Sequence, residues 1–364
     1  HRYLKATKKE KAKILDEFTV LSGYHRKYSS RLLTGQAQKN PGITVAVSCR
    51  RIYNEAVKEA LIVVWEASDR ICSKRLKAIL PDFVEAMERH GHIKLDPVLR
   101  NRLLLISAST IDRLLADIRQ KAGSRRKHRR KPKKVSKDVP VRTFADEIES
   151  APGYLEIDFV VHGGGSMAGS LIHTLVATDL SSGWIECIPL LAREQSLVVE
   201  ALEILRRQLP FSILRIDSDN DSAFINDTLL SYCRKQNIEF TRCRPFRSND
   251  QAWIEQKNGA VVRRFVGYDR YSGVIAGQAM ANLYQHVRLY VNYYQPSFKL
   301  RKKEREGSKV KRTYHKPLTP CESLCNNPAV LPSIKEKLQR QRMQLDPVYL
   351  LHRIRDNQAA LAAL

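Results

Sequence analysis

Five strand-like segments follow one another in the middle of the chain, and their order restricts the fold more than any other feature. They span residues 154–161, 171–178, 184–189, 212–216 and 239–242. The first three are joined only by turn-forming Gly-Gly-Gly and Ser-Ser-Gly sequences, whereas helix-like segments alternate with the last two. Adjacent strands followed by helical crossovers predict a mixed α/β sheet covered by helices.

Two short helices are predicted at the beginning of the chain, within residues 1–50. Thr7 and Glu10 have capping-box spacing, and the helix that they open ends at Ser22-Gly23, before a basic helix over residues 25–33. Helix, glycine turn and basic helix resemble a helix-turn-helix, and an ordinary helical hairpin with a solvated basic face fits the same pattern. The predicted DNA-contacting residues of the second helix are Arg26, Lys27 and Arg31.

A second helical region is predicted over residues 51–123. Residues 73–87 and 109–120 are amphipathic, and the sequence around Asp96-Pro97 separates them. Arg113 lies on the later helix and is a candidate DNA contact, although plain helical packing explains this region equally well.

The chain carries a net charge of +25, which is unevenly distributed. Residues 1–139 contribute +19, residues 140–298 contribute −3, and residues 299–364 contribute +9. A strongly basic protein favours a polyanionic partner, of which nucleic acid is the commonest. The most basic run, residues 124–139, is predicted to be a linker that lies along DNA phosphates. Its candidate contacts are Arg125, Arg126, Lys127, Arg129 and Arg130.

Other classes of protein are disfavoured by what the sequence lacks. No run approaches the ~18–20 consecutive apolar residues of a membrane-spanning helix, and the seven scattered cysteines have no metal-binding spacing. A soluble, cytoplasmic protein with reduced thiols is expected.

Three carboxylates are predicted to meet at the sheet. Asp158 interrupts an apolar strand, where an unpaired charge is expensive. Asp219 lies just beyond the fourth strand, and Glu255 starts the helix that follows the fifth strand. If the first and fourth strands are neighbours, these acids converge. Clustered carboxylates repel one another unless a cation lies between them, and Mg²⁺ prefers such oxygen ligands.

The segment from about residue 152 to residue 295 resembles the catalytic domain of retroviral integrases and bacterial insertion-sequence transposases, the DDE family with a ribonuclease H-like fold. Asp219-Asn-Asp-Ser-Ala-Phe224 matches the D-N-G-S-x-F sequence of the family, and Glu255 with Asn258 matches E-x-x-N. Thirty-five residues separate Asp219 from Glu255, as in the integrase branch. The predicted fold class is therefore a ribonuclease H-like mixed sheet with flanking helices, in a catalytic core at residues 140–298, preceded by all-α helix-turn-helix domains.

The resemblance implies the chemistry. Asp158, Asp219 and Glu255 would be the catalytic residues and would hold two Mg²⁺ or Mn²⁺ ions, with Asp158 bridging both. Water would cleave a phosphodiester at a transposon end, and the resulting 3′-hydroxyl would attack target DNA. The implied partners are double-stranded DNA, as terminal inverted repeats and target, and further copies of the chain on that DNA. The resemblance leaves a helper ATPase open and implies a location at the bacterial nucleoid.

The match has departures. Asp221 replaces the glycine of the motif, so Asp217, Asp219 and Asp221 alternate along the chain and would present three carboxylates to one face if the strand continues. A slip of one residue would turn Asp219 to the other face. Glu156 raises the same question beside Asp158. The His-His-Cys-Cys zinc module of retroviral integrases has no counterpart here.

The helix predicted to begin near Trp253 carries further candidates. Lys257, Asn258, Arg263 and Arg264 follow Glu255 and are predicted to contact DNA, although a solvated basic face is the alternative. Asp179 is predicted to be a turn residue, and Trp184 and Trp253 are predicted to pack rather than to stack on bases.

Residues 299–364 begin with a basic run, continue through proline-containing, loop-like sequence and end in an amphipathic helix at about 349–364. The sequence fits a DNA-contacting arm or a self-association element. For the whole chain, the leading hypothesis is a DNA transposase. The alternatives are a ribonuclease H-like nuclease or resolvase, and a domesticated DNA-binding protein without activity.

Overall fold

The computed structural model describes most of the chain in two compact units, His1–Ile52 and Tyr53–Leu364. The described residues are 2–35, 52–121, 151–166, 168–218, 227–242, 257–306 and 309–364.

The first unit contains three helices, α1 (Arg2–Lys5), α2 (Lys8–Ser22) and α3 (Arg26–Leu33). The backbone N–H of Thr7 donates to Glu10 Oε2 over 2.8 Å, so the predicted cap opens α2. Gly23 ends α2 in the left-handed conformation, at φ 68°. The two predicted helices and the turn between them are confirmed.

The second unit begins with four helices, whose buried side chains belong to the same hydrophobic core as those of the sheet. They are α4 (Glu55–Ala67), α5 (Ser73–Arg89), α6 (Pro97–Leu105) and α7 (Ala108–Lys121). Asp96 accepts the backbone N–H groups of Val98 and Leu99 at 3.0 Å each, and Pro97 stands at the first turn of α6. The apolar side of α5 is fully buried at Leu76, Ile79, Leu80, Phe83 and Val84. The predicted amphipathic helices and the break between them are confirmed.

Five described strands form the mixed sheet of the second unit, in the order β3-β2-β1-β4-β5. They are β1 (Tyr154–Val161), β2 (His173–Asp179), β3 (Ile185–Leu190), β4 (Arg215–Ser218) and β5 (Glu239–Arg242). β1 and β3 are antiparallel to β2, whereas β1–β4 and β4–β5 are parallel. Helices α8 (Gln195–Gln208) and α9 (Asp227–Lys235) lie in the connections around β4. The predicted ribonuclease H-like fold class is confirmed.

The boundary predicted for the fourth strand was wrong, because β4 begins at Arg215 rather than at residue 212. The N–H groups of Leu214 and Arg215 both donate to the carbonyl of Gly153, at 2.9 and 3.2 Å, before the ladder with β1 starts. Gly153 has φ 116°, and a Cβ there would lie 2.5 Å from the carbonyl oxygen of Ser212. Only glycine allows this close approach.

After the sheet, a π-helical turn (Asn258–Val262) leads into α10 (Arg263–Phe265) and then α11 (Gly273–Tyr294). α11 is the central helix of the core, and Met280, Leu283 and Tyr290 on it are fully buried. Trp184 is 3% exposed and packs edge-on against Tyr293, at 5.6 Å between ring centroids. Its predicted packing role is confirmed, whereas Trp253 lies outside the described residues.

The loop-like interpretation of the C-terminal region was wrong. The basic run forms an antiparallel ribbon, β6 (Leu300–Glu306) and β7 (Lys309–Tyr314). It is followed by α12 (Pro320–Asn326), α13 (Pro332–Gln344) and α14 (Pro347–Ala362). Each helix has its proline in the first turn, where a missing N–H costs nothing, so these prolines start helices instead of breaking them. The predicted terminal helix is confirmed as α14.

Two further observations concern membrane-spanning helices and cysteines. Within the described ranges, no helix is long and apolar enough to cross a membrane. The cysteines of those ranges are free thiols, at positions 72, 187, 233, 321 and 325.

Candidate active site

Asp158 lies on β1, and its carboxylate accepts hydrogen bonds from Asn258 and Phe159. Asn258 Nδ2 donates to Asp158 Oδ2 over 2.6 Å, and the backbone N–H of Phe159 donates to Oδ1 over 2.8 Å. The flanking Ile157 is fully buried, while Asp158 itself is partly exposed. The strand therefore fixes one carboxylate at an accessible position, with its orientation set by an amide from the π-helical turn.

The neighbouring strand brings the chain leading to Asp219 next to this carboxylate. Ile157 pairs with Ser218 in the parallel ladder of β1 and β4, and Ser218 is the last described residue before Asp219. Asp219 and Glu255 both lie outside the described residues. The predicted adjacency of the first and fourth strands is present, whereas the convergence of the three acids stays a prediction.

The acids considered as alternatives lie on the same two strands. Glu156 pairs with Asp217 in the ladder, and Asp217 accepts a hydrogen bond from Thr241 Oγ1 at 3.2 Å. Glu156 is only 2% exposed, much less than Asp158, and shares its face of β1 because the two are two residues apart. Asp221 lies outside the described residues. Of the first-strand carboxylates, Asp158 is the accessible one.

The donor chemistry around Asp158 fits a hard divalent cation. Its carboxylate oxygens are ligands that Mg²⁺ and Mn²⁺ prefer, and the hydrogen bond from Asn258 orients them. Within the described ranges, no cluster of three or more His, Cys, Asp or Glu side chains could hold a metal by itself.

Lys257 ties the beginning of the π-helical turn to the hairpin between β2 and β3. Its Nζ donates to the carbonyl of Gly183 over 2.9 Å. Burial, reinforced by the nearby Arg75 guanidinium, lowers the pKa of Lys257 to about 8. The same contact places Asn258, the next residue, opposite Asp158.

The hairpin that receives Lys257 is itself fixed by Asp179. Its carboxylate accepts the N–H groups of Gly153 and Ser182, at 2.8 and 2.7 Å, and the hydroxyl of Ser182 at 2.6 Å. Burial raises the pKa of Asp179, and these donors oppose the shift. The predicted role of Asp179 as a turn residue is confirmed.

Arg263 and Arg264 contact the protein itself in this structure. Arg263 donates to the carbonyl of Val161 over 2.9 Å, and its guanidinium lies 5.0 Å from the ring centroid of Tyr268. Arg264 donates to the carbonyl of Asp69 over 2.9 Å and pairs with its carboxylate. DNA contact by Lys257, Asn258, Arg263 and Arg264 stays a prediction.

The turn between α4 and α5 docks on the sheet-containing core, a contact that the sequence did not reveal. The carbonyls of Ala67 and Ser68 accept hydrogen bonds from Tyr290 Oη at 2.9 Å and Gln295 Nε2 at 3.1 Å, and the Asp69 carbonyl accepts from Arg264. Asp69 has φ 57°, in the left-handed region. An Asp in that conformation is a weak turn signal and gives no indication of its partner.

The remaining predicted DNA contacts are distributed over the helices. Arg26 pairs with Asp16 of α2, whereas Lys27 and Arg31 are exposed on α3. Arg113 is exposed on α7 and donates to Thr110 Oγ1 over 3.1 Å. The candidates of the basic linker, at positions 125, 126, 127, 129 and 130, lie outside the described residues.

Comparison with known proteins shows similarity to a family model and to a bacterial protein. The model of the family "Integrase core domain" matches residues 149–248. The "Uncharacterized protein y4rM" of Sinorhizobium fredii (strain NBRC 101917 / NGR234) is 48% identical over 320 residues, covering 88% of this chain and 91% of that protein.

Solved structures similar to this chain include retroviral integrase cores. The catalytic core domain of BIV integrase is 20% identical, over 32% of this chain and 70% of its own, with a TM-score of 0.27. The HTLV-2 integrase catalytic core domain in complex with magnesium, in its dimeric form, is 14% identical, over 41% of this chain and 92% of its own, with a TM-score of 0.32.

Proposed function

The chain belongs to the family of the Sinorhizobium fredii protein y4rM and contains a DDE integrase-like core, and on that basis we propose that it is a DNA transposase. It would cleave DNA at the ends of its element and join the new 3′-hydroxyl ends to target DNA. The observation that carries the proposal is the accessible Asp158 carboxylate on β1. Asp158 follows Ile157, and Ile157 pairs with Ser218, the residue immediately before Asp219.

Three carboxylates would form the metal site. Asp158, Asp219 and Glu255 would hold two Mg²⁺ or Mn²⁺ ions, and we expect Asp219 to lie beside Asp158 if β4 continues in register for one residue. The ions, when bound, supply positive charge that activates an attacking oxygen and stabilises a departing one. Asn258 would hold the Asp158 carboxylate in one orientation for metal binding.

The reaction has two displacements at phosphorus. In the first, the oxygen of water forms a bond to phosphorus at the transposon end, and the 3′-oxygen leaves as a hydroxyl. In the second, that 3′-hydroxyl attacks a target phosphodiester and displaces another 3′-oxygen, so one phosphodiester replaces another. No high-energy cofactor is required for either step.

The charge distribution supports a DNA substrate. The segments before and after the core carry +19 and +9, while residues 140–298, which contain the acids, carry −3. Cations outside the core would neutralise phosphates and position the duplex, and the carboxylates would remain for metal. Two ends must be held together for coupled joining, so we expect a homo-oligomer on DNA.

The proposal can be tested with purified protein and duplexes that carry the element's own terminal repeats, in Mg²⁺ or Mn²⁺. We expect nicking at the repeat end and joining to a target plasmid. Asp158→Asn, Asp219→Asn and Glu255→Gln should each abolish both products while DNA binding persists. Asp217→Asn and Asp221→Asn are the matched controls for register and should retain activity.

Other outcomes identify other functions. Cleavage without joining would indicate a ribonuclease H-like nuclease or resolvase. Salt-sensitive DNA binding with neither product would indicate a domesticated DNA-binding protein. Full activity of Asp158→Asn would refute the assignment of the site.

A further inference from the structure

We propose that the ribbon formed by β6 (Leu300–Glu306) and β7 (Lys309–Tyr314) is a DNA-binding element that inserts into the major groove of duplex DNA. The inference rests on the proposed function for the identity of its partner, and it assigns a surface that the integrase core does not include. The matched family segment ends at residue 248, well before this ribbon.

The ribbon is anchored at its base. Ser297 forms an antiparallel bridge with Leu318, and the N–H of His315 donates to the carbonyl of Lys299 over 2.9 Å. The rings of Phe298 and Tyr314 pack edge-on, at 5.8 Å between centroids. A two-stranded ribbon is marginally stable alone, so these contacts hold its base on the folded core while its strands extend beyond it.

The strands present cations on both faces of the ribbon. Lys302 pairs with Thr313 and Glu304 with Lys311, which places Lys302 and Lys311 on one face. Arg312 pairs with Lys303 and belongs to the opposite face. The described side chains of Lys302, Lys311 and Arg312 are all exposed.

The charge of the ribbon exceeds what its own acids neutralise. Residues 300–314 contain seven Lys and Arg and two Glu. Lys302 and Glu304 form an ion pair of 2.6 Å, but both side chains are about half exposed or more, so the pair is weak. A strong positive field therefore surrounds the strands.

This arrangement fits a groove better than a flat surface. A major groove has phosphates on two sides, is about 12 Å wide and admits a two-stranded ribbon whose strands lie about 4.8 Å apart. A lipid surface would favour one apolar face, yet Val310 is the only strongly apolar residue between Arg301 and Thr313. The same ribbon of a second copy would oppose like charge to like charge.

The test neutralises two exposed ribbon cations in the full-length protein. We expect Lys311→Gln with Arg312→Gln to weaken binding to a duplex of arbitrary sequence on the order of tenfold at 0.15 M salt. The slope of log Kd against log salt should fall by about 2, because two phosphate contacts are lost. Dimethyl sulfate, which methylates guanine N7 in the major groove, should reveal protection by the wild type that the variant loses.

The matched control removes equal charge from helix α13. Lys337→Gln with Arg340→Gln changes two exposed cations outside the ribbon and should leave the salt slope and the protection pattern unchanged. Circular dichroism and the urea midpoint of both variants should match the wild type. If both variants lost DNA affinity equally, the ribbon would contribute only through its net charge, and the inference would be overturned.

Several outcomes separate this inference from the proposed function. Unchanged DNA binding in the ribbon variant, with altered sedimentation or altered binding to phosphatidylserine vesicles, would overturn the ribbon assignment. If metal-dependent cleavage and joining persisted in such a variant, the transposase proposal would stand without the ribbon. If the ribbon variant lost its groove protection while the wild type showed no metal-dependent cleavage, the ribbon assignment would stand and the transposase proposal would fall.

Discussion

The 2.6 Å hydrogen bond from Asn258 to Asp158 is the residue-scale contact that matters most for the proposed chemistry. Replacing Asn258 by Ala removes the donor and lets the carboxylate rotate. Loss of such a supporting contact typically costs 10–100-fold in metal affinity or activity. We therefore expect Asn258→Ala to raise the Mg²⁺ concentration needed for half-maximal cleavage by about 10–100-fold. A Mg²⁺ titration of the cleavage rate measures it.

Asn357→Ala is the control for this substitution. Asn357 Nδ2 donates to the carbonyl of Arg353 within α14, so its loss removes an amide from a helix without touching β1. Its Mg²⁺ dependence should equal that of the wild type. An unchanged Mg²⁺ dependence of Asn258→Ala, with DNA affinity reduced, would instead support the predicted contact of Asn258 with DNA.

At this scale, the sequence indicated candidate acids, of which Asp158 is described on β1, but it did not indicate the partners of the basic residues. Asp158 could be predicted because a charge in an apolar strand demands an explanation. Lys257 and Arg264 follow Glu255 closely, yet their partners Gly183 and Asp69 are 74 and 195 residues away along the chain. No local pattern encodes such distances. The π-helical turn adds to the difficulty, because it breaks the periodicity that relates Asn258 to Arg263.

At the scale of elements, the docked α4–α5 turn explains why Arg264 is held inside the protein. Its guanidinium contacts both the carbonyl and the carboxylate of Asp69, whose side chain is 11% exposed. Arg264→Ala would leave that carboxylate without this partner in a poorly hydrated place. We expect a loss of about 1–3 kcal/mol in the free energy of unfolding. Urea denaturation followed by circular dichroism measures the loss.

Arg340→Ala, on an exposed position of α13, is the matched control and should change the free energy of unfolding by less than about 0.5 kcal/mol. A stable Arg264→Ala variant with weakened DNA binding would contradict the docking role and favour the predicted phosphate contact.

Element types were predictable where an apolar pattern had clear ends. The first three strands are short runs that are buried at most positions, and turn residues separate them. Helix α8 buries Val198, Ala201, Leu202 and Leu205 at helical spacing, and α2 is bounded by its capping residues.

The C-terminal region does not have a pattern with such clear ends. A proline such as Pro320 or Pro332 looks the same in the sequence whether it ends a helix or begins one. Which of the two occurs depends on whether a capping residue precedes the proline. Thr319 and Glu322 supply that cap in α12, with Glu322 N donating to Thr319 Oγ1 at 3.1 Å.

At the scale of the whole molecule, the charge is concentrated outside the part that holds the acids. The core segment carries −3, although the chain carries +25. A basic core would compete with divalent cations for the carboxylates, whereas basic flanks bind phosphates without doing so. On the proposed function, affinity for DNA and catalysis would depend on different segments and could be separated experimentally.

The two compact units make that separation possible. The unit Tyr53–Leu364 contains the sheet and its own buried core, so a chain that starts at Tyr53 should fold with an unchanged urea midpoint. If α3 reads base edges, removing the first unit should lower the ratio of terminal-repeat affinity to random-duplex affinity by at least about 100-fold, because base contacts supply most of that ratio. Non-specific binding should persist through the remaining basic segments.

Competition binding with the two duplexes measures the ratio. The triple variant Arg26→Gln, Lys27→Gln, Arg31→Gln, which keeps all residues of the first unit, serves as the control. An unchanged ratio in both proteins would show that the first unit does not recognise the ends.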